Sequence, residues 1–410
     1  MSEVGLHCDK GRVETSSALL TGVSLPAAVI HEAPLAHNLI WMQRFAEAHG
    51  ARLAPHGKTT MSPTLFRRQL ETGAWGITLA TAPQCRAAFA HGVTRLLMAN
   101  QLVGEANMAM VAGLIQAGAE FYCVVDSSDN VGQLGRFFAD RGLHLNVLIE
   151  LGVPGGRCGC RTTAQVEALV AAIAEQPALR LVGIEGYEGL IAGGDEVAAV
   201  RAYGERLVET VKVLHGSGVL ASEAPIVTAA GSRWFDLIAQ AFDEAELREH
   251  YTPVLRPGCY VVHDHRLYAD AMAEVKARDP HLQGELQPAL EVFAHVQSLP
   301  EPGLAIVGLG KRDIGHEPDM PLPLRHYPRD TLATMDGAVT APSSWRATHI
   351  MDQHLFLEIP HDSEMGSAEL AVGDVIAFGT SHPCLTFDKW RHLLLVDETL
   401  TVTESVATCF

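Results

Sequence analysis

Basic charge is what this sequence has least of: 30 lysines and arginines against 48 aspartates and glutamates leave a formal net charge of −18 over 410 residues. A duplex binder needs a basic face that releases counterions, so nucleic acid is excluded as a partner. Long apolar runs are missing as well. None reaches the roughly eighteen residues of a membrane span, and the opening stretch MSEVGLHCDKGRVETSS lacks the apolar segment of a signal peptide. A cytoplasmic protein with no membrane partner is therefore expected. Cysteine is scarce: the eight, at 8, 85, 123, 158, 160, 259, 384 and 409, are too few for a disulfide scaffold, and they read as reduced, with a metal ligand among them. Charged residues make up only 19% against 48% hydrophobic, which excludes disorder and a coiled coil. A chain of this length exceeds what one core organises, so two domains are expected.

What is present is an alternation. Short β-prone runs occur at Arg52–His56, Trp75–Ala80, Arg95–Ala99, Phe121–Val125, Leu145–Glu150, Leu181–Glu185, Pro225–Ala229 and Thr252–Arg256, with Ala/Leu/Glu-rich stretches of helical length between most of them. Near-continuous apolar strands joined by helical crossovers imply a parallel sheet covered by helices, and a count of eight favours a closed (β/α)8 barrel over an open doubly wound sheet. The α/β barrel is placed over residues 31–270. From 275 to 410 the pattern turns to strand-like segments separated by Gly and Pro, which reads as a β domain. Leu25–Ile30 is strand-like too, so residues 1–30 are expected to add a strand to that domain. The Pro-rich stretch Glu317–Pro328 reads as a long loop.

Several residues acquire a common address on such a barrel, whose active site lies at the C-terminal ends of its strands. Lys58, in RLAPHGKTTMSP, falls just past the first strand. Partial desolvation there lowers an ammonium pKa and lets the amine condense with an aldehyde; taken alone, Lys58 reads as a solvated loop lysine, and it is the rest of the chain that overturns this. Past the seventh strand, Gly231 and Ser232 precede a helical stretch from Trp234, and small residues at a helix start offer backbone N–H groups to a phosphate. Lysine and anion cup together suggest a cofactor with an aldehyde and a phosphate, pyridoxal phosphate. Arg157, on the Gly-rich turn after the fifth strand, can donate to the ring's phenolate oxygen. Tyr187 and Tyr260, past strands six and eight, can contact ring or phosphate, or simply pack at the rim. In the β domain, Ser381-His382-Pro383-Cys384 on an extended segment would point His382 and Cys384 to one side, an imidazole and a thiolate suited to zinc. Two protein ligands leave positions for water or substrate. His354 is a further histidine that nothing in the sequence ties to that site.

With these residues in view, the chain resembles the fold-type III pyridoxal-phosphate enzymes of the D-serine dehydratase and D-threonine aldolase group, relatives of alanine racemase. The likeness runs from LPAAVIHEAPLAHNLIWM through PHGKTT, GVPGGRCG, TAAGSRWFD and RPGCY to VGDVIAFGTSHPCLTFDKWRHLLLVD. It implies Lys58 as the cofactor-carrying lysine, Arg157 at the phenolate oxygen, Gly231 and Ser232 in the phosphate cup, His382 with Cys384 as metal ligands, and a homodimer whose C-terminal domains complete the partner's active site.

The departures bear on the reaction. Aldolases of the group carry His-x-Asp, whereas this chain has His-x-Cys as the dehydratases do, and the histidine that aldolases place beyond strand six is absent from Tyr187–Asp195. Both features favour dehydration of a D-β-hydroxy amino acid, such as D-serine or a D-3-hydroxy acid, to a keto acid and ammonia. Hydroxide leaves poorly at neutral pH. Zinc can lower the pKa of water from about 15.7 to about 7, which at 1.36 kcal/mol per unit bounds the assistance at roughly 12 kcal/mol. Three alternatives remain open: a metal-activated D-threonine-type aldolase using manganese or magnesium and releasing glycine and an aldehyde, a metal-independent racemase, and a non-catalytic pyridoxal-phosphate carrier.

Overall fold

Eight strands, Arg52–Leu53, Ile77–Leu79, Arg95–Gln101, Glu120–Val125, Leu145–Leu151, Leu179–Gly186, Ile226–Ala229 and Thr252–Leu255, pair in parallel in chain order, and the last returns to the first. A parallel bridge between His56 and Thr78 joins the two ends of that order. Trp75 N–H donates to Leu53 O at 2.7 Å and Thr78 N–H to Pro55 O at 2.9 Å across the same seam, so the sheet closes into the expected barrel. The strands are largely apolar because both faces are covered, with charged residues such as Arg52, Glu120 and Arg180 near their starts. Leu97, Val124, Leu148, Val182, Ile226 and Val254 form one packed cluster inside. Helices begin where the sequence supplies a cap: Thr81, Ser127 and Asp195 each accept a backbone N–H of the following turn, and Thr162 with Gln165 forms a reciprocal capping box.

The computed structural model describes residues 10–334, 338–360 and 370–410. It divides into two units, Leu39–Gly258, which is the barrel, and a second built from the chain on either side of it. Cys8 lies outside the described residues; none of the other seven cysteines forms a disulfide.

The second unit is mainly β. Its sheet runs Val339–Thr340, Leu322–Tyr327, Val375–Gly379, Leu290–Glu301, Ala27–His31, His392–Val396, Val402–Ala407, with Leu304–Val307, Leu355–Glu358 and Arg346–Ile350 extending from the long strand Leu290–Glu301. Ala27–His31 lies in its middle, antiparallel to one neighbour and parallel to the other. The stretch expected as a loop contains a strand, Leu322–Tyr327. Its one proline, Pro323, is accommodated because the register shifts between Pro323 and Arg325, the kind of irregularity that tolerates a missing N–H. Among the described residues, no helix is long and apolar enough to cross a membrane.

Candidate active site and metal centre

Lys58 sits in a one-turn 3₁₀ helix, Gly57–Thr59, directly after the first barrel strand. Its neighbours Gly57 and Thr59 are buried while Lys58 itself is exposed, so the turn anchors the backbone on either side of an exposed lysine. Glycine is required at 57, since a Cβ there would lie 2.6 Å from the Phe66 ring and 2.7 Å from Ile77. The chain closes over the same turn from the last strand: a Cβ on Gly258 would lie 2.6 Å from Thr59 Oγ1 and 2.8 Å from His56 O.

Around this turn the electrostatics are positive. His56 is held well below its ordinary pKa, first by burial and then by the charges of Lys58, Arg256 and Arg157. Arg256, 5% exposed at the end of the last strand, pairs with the buried Glu185 and donates to Gly186 O at 2.8 Å. The Arg157 guanidinium lies over the Tyr187 ring, 4.4 Å from its centroid. Tyr187 in turn crowds Gly231, where a Cβ would come within 2.9 Å of the ring. Arg157, Tyr187 and Gly231 are thus brought together at the ends of strands five to seven.

The anion cup differs from expectation. Its N–H groups are not open: Gly231 N–H donates to Glu188 Oε1 at 2.5 Å and Ala230 N–H to Oε2 at 3.2 Å. Ala230 holds a left-handed φ of 79°, which turns both amides toward that carboxylate. Burial pushes the Glu188 carboxyl upward. Ser232 Oγ accepts the Gly258 N–H at 3.2 Å. Glu188 was not legible as a site residue, because a single glutamate after a strand carries no spacing signal. A further acidic group, Asp126, Glu150 and Cys158, lies in the same unit. Burial and the Glu185 charge raise Glu150 to about 7.

Whether these residues suit pyridoxal phosphate can be judged from their donors. His56 Nδ1, Thr228 Oγ1 and Arg256 Nε are buried and without a hydrogen-bond partner, and the charges of Lys58, Arg157 and Arg256 act on His56. A hydrogen-bonding anionic group such as pyridoxal phosphate fits that inventory, and its phosphate would compete with Glu188 for the Ala230 and Gly231 amides.

In the second unit, one ligand atom each of Cys259, His382 and Cys384 lies within 4.8 Å of the others, and the two sulfurs are 3.6 Å apart. The expected extended segment is absent. Pro383 is helical at φ −60°, ψ −41° and Cys384 opens the short helix Cys384–Phe387, so a helical turn and not strand alternation aims the two side chains. Thr380 fixes this turn by accepting His382 N–H at 3.3 Å and sharing a hydrogen bond with Thr386 at 2.8 Å. Cys259 enters from the one-turn helix Cys259–Val261, where Tyr260 is buried. The hydrogen bond to Cys384 and burial push the Cys259 thiol well up. Asp264 caps helix Leu267–Arg278 by accepting the N–H groups of Arg266, Tyr268 and Ala269, and burial lifts it to about 6. His354 is exposed in the turn between Arg346–Ile350 and Leu355–Glu358, outside the cluster.

The family described as "Alanine racemase, N-terminal domain" matches residues 30–258, more than half of the chain. The chain belongs to that family. It is a fold-type III pyridoxal-phosphate protein, and its remaining part, residues 289–396, matches "Putative serine dehydratase domain". It is 26% identical over 380 residues to D-threonine aldolase of Arthrobacter sp, covering 92% of this chain and 90% of the relative. To D-threo-3-hydroxyaspartate dehydratase of Delftia sp. (strain HT23) it is 29% identical over 253 residues, 60% of this chain and 63% of that one. The crystal structure of D-threonine aldolase from Filomicrobium marinum superposes with a TM-score of 0.79 at 23% identity, covering 97% of this chain and 98% of the other, a likeness of fold. Alanine racemase-like architecture, a parallel eight-stranded barrel with a mainly β domain, therefore holds for this family member as expected.

Proposed function

We propose that this protein is a pyridoxal-phosphate- and zinc-dependent lyase that removes water from a D-β-hydroxy amino acid, D-serine or a D-3-hydroxy acid, and releases an enamine that a water molecule then hydrolyses to a keto acid and ammonia. The observation that carries the choice of dehydration is the thiol-bearing cluster at His382 and Cys384 in the unit matched by the serine dehydratase domain. When bound, the cofactor supplies an electron sink for the α-carbon and the metal a Lewis acid for the departing oxygen. The chain's own residues do the rest. Lys58 Nζ, exposed on a turn with a buried backbone, carries the cofactor and takes the α-proton. His56, kept neutral by burial and its cationic neighbours, adds no competing charge beside it. Arg157 donates to the ring's oxygen, Gly231 and Ser232 hold the phosphate, Tyr187 and Tyr260 are assigned to ring or phosphate, and His382 with Cys384 hold the ion. We extend the reading to a homodimer, for which light scattering should return about twice the 44.1 kDa of one chain.

A retro-aldol enzyme is the second reading, favoured by the end-to-end similarity to a D-threonine aldolase. Absence of a histidine from Tyr187–Asp195 speaks against it. The test is a panel of D- and L-β-hydroxy amino acids with ammonia, keto acid and glycine quantified. Ammonia and keto acid from D-substrates are expected; glycine and an aldehyde in their place would establish the aldolase.

A further inference from the structure

We propose that Cys259 is a third protein ligand to the ion held by His382 and Cys384, which makes the centre a one-histidine, two-thiolate site with one position left for substrate; this rests on the metal-dependent reading above. The geometry is that of a tetrahedral ion's neighbours. Two Zn–S bonds of about 2.3 Å at the tetrahedral angle separate their sulfurs by about 3.8 Å. Cys259 Sγ and Cys384 Sγ stand 3.6 Å apart, well beyond the roughly 2.05 Å of a disulfide, and a His382 ring nitrogen lies within 4.8 Å of both.

The surroundings match a ligand more than a packed thiol. Cys259 is 3% exposed, and its sulfur hydrogen-bonds with Tyr268, whose ring centroid is 5.8 Å from that of His382. One residue therefore orients two of the donors, as outer partners of a metal site do. Asp264 Oδ2, on the same unit, is buried without a hydrogen-bond partner. Two thiolates also decide which ion: thiolate and imidazole donors select zinc, where manganese or magnesium would want oxygen. Three protein ligands with one open position is the arrangement of catalytic zinc, whereas four would close the site.

X-ray absorption at the zinc edge and cobalt(II) substitution test this together, with circular dichroism of each variant as the control for folding. The unmutated protein should show two sulfur neighbours per zinc. Cys259→Ser should show one, should lose about half of the thiolate-to-cobalt charge-transfer intensity, and should bind zinc at least 10-fold more weakly, the scale on which even outer partners act. Cys384→Ser should match it. A single sulfur neighbour in the unmutated protein, or undiminished charge transfer in Cys259→Ser, would overturn the third ligand and leave a two-ligand centre standing. Failure of the unmutated protein to take up zinc or cobalt would overturn both this proposal and the metal-dependent reading. Should Cys259→Ser not fold, the sulfur count of the unmutated protein decides alone.

Discussion

Lys58 is exposed between two buried neighbours, and that contrast makes its role separable from the fold. Lys58→Ala removes an exposed amine without touching the packing of Gly57 against Phe66 and Ile77, so the melting temperature should stay within a degree or two, roughly, while turnover falls by about 10³-fold or more. Borohydride reduction of the unmutated holoenzyme followed by peptide mapping should place the cofactor on Lys58, and an adduct on another lysine would reject the assignment. Glu150 offers a test by pH. Its carboxyl is lifted from 4.5 to about 7 by burial and by Glu185. A raised carboxyl means the folded protein holds the proton longer than the unfolded chain. The contribution of Glu150 to the stability of the cofactor-free protein should therefore fall as pH rises from about 4.5 to about 7, opposite in sign to that of the depressed His56, so the stability of the unmutated protein relative to Glu150→Gln should fall across that window in urea titrations. Legibility at this scale followed local motif. Lys58, Arg157, Tyr187, Gly231, His382 and Cys384 each stood in a short stretch of small or metal-ligating residues. Cys259 did not, because its companion is 125 positions away and no spacing rule joins them.

At the level of elements, turns do the positioning, and their requirements are steric. Gly231 has the Tyr187 ring where a Cβ would go, and its N–H belongs to the cup. Gly231→Val should push Tyr187 and Glu188 aside and weaken cofactor binding on the order of 10-fold or more, about 1.4 kcal/mol, read by equilibrium dialysis. Metal content should not change; loss of both would mean general unfolding. All eight barrel strands were readable because each is an apolar run flanked by helical sequence. Four strands of the other sheet were missed, one of them the two-residue Val339–Thr340. Leu322–Tyr327 hides behind Pro323, placed at a register shift. Arg346–Ile350 and Val402–Ala407 each pair on one side only and read RATHI and VTESVA, sequences polar enough to pass for loop because edge strands need not be buried. The turn at His382 was read as extended, whereas Pro383 fits the start of a helix as readily as a strand end, since its φ suits both.

At the scale of the whole chain, the barrel Leu39–Gly258 is an insertion into the second unit, which must be assembled from segments more than two hundred residues apart. The N-terminal strand Ala27–His31 is what ties those segments together. It pairs with Leu290–Glu301 on one side and His392–Val396 on the other, and Ala28, Val29 and Ile30 are fully buried. Val29 packs with Leu19, Phe293, Val375, Leu394 and Val396 in a core that offers an ionised side chain no partner. Val29→Asp should therefore cost about 3–5 kcal/mol, the scale of an uncompensated buried charge, measured by urea denaturation of the full chain. Because Cys259, His382 and Cys384 all belong to this unit, the same substitution should also lower retained metal. Ile40→Asp is the control: Ile40 is 46% exposed on helix Glu32–Ala48, so its replacement should change stability by no more than about 0.5 kcal/mol and leave the metal in place. Equal losses in the two variants would show that Ala27–His31 is not the keystone of the second unit, and full metal retention in a destabilised Val29→Asp would show that the Cys259, His382 and Cys384 cluster stands independently of the sheet beneath it.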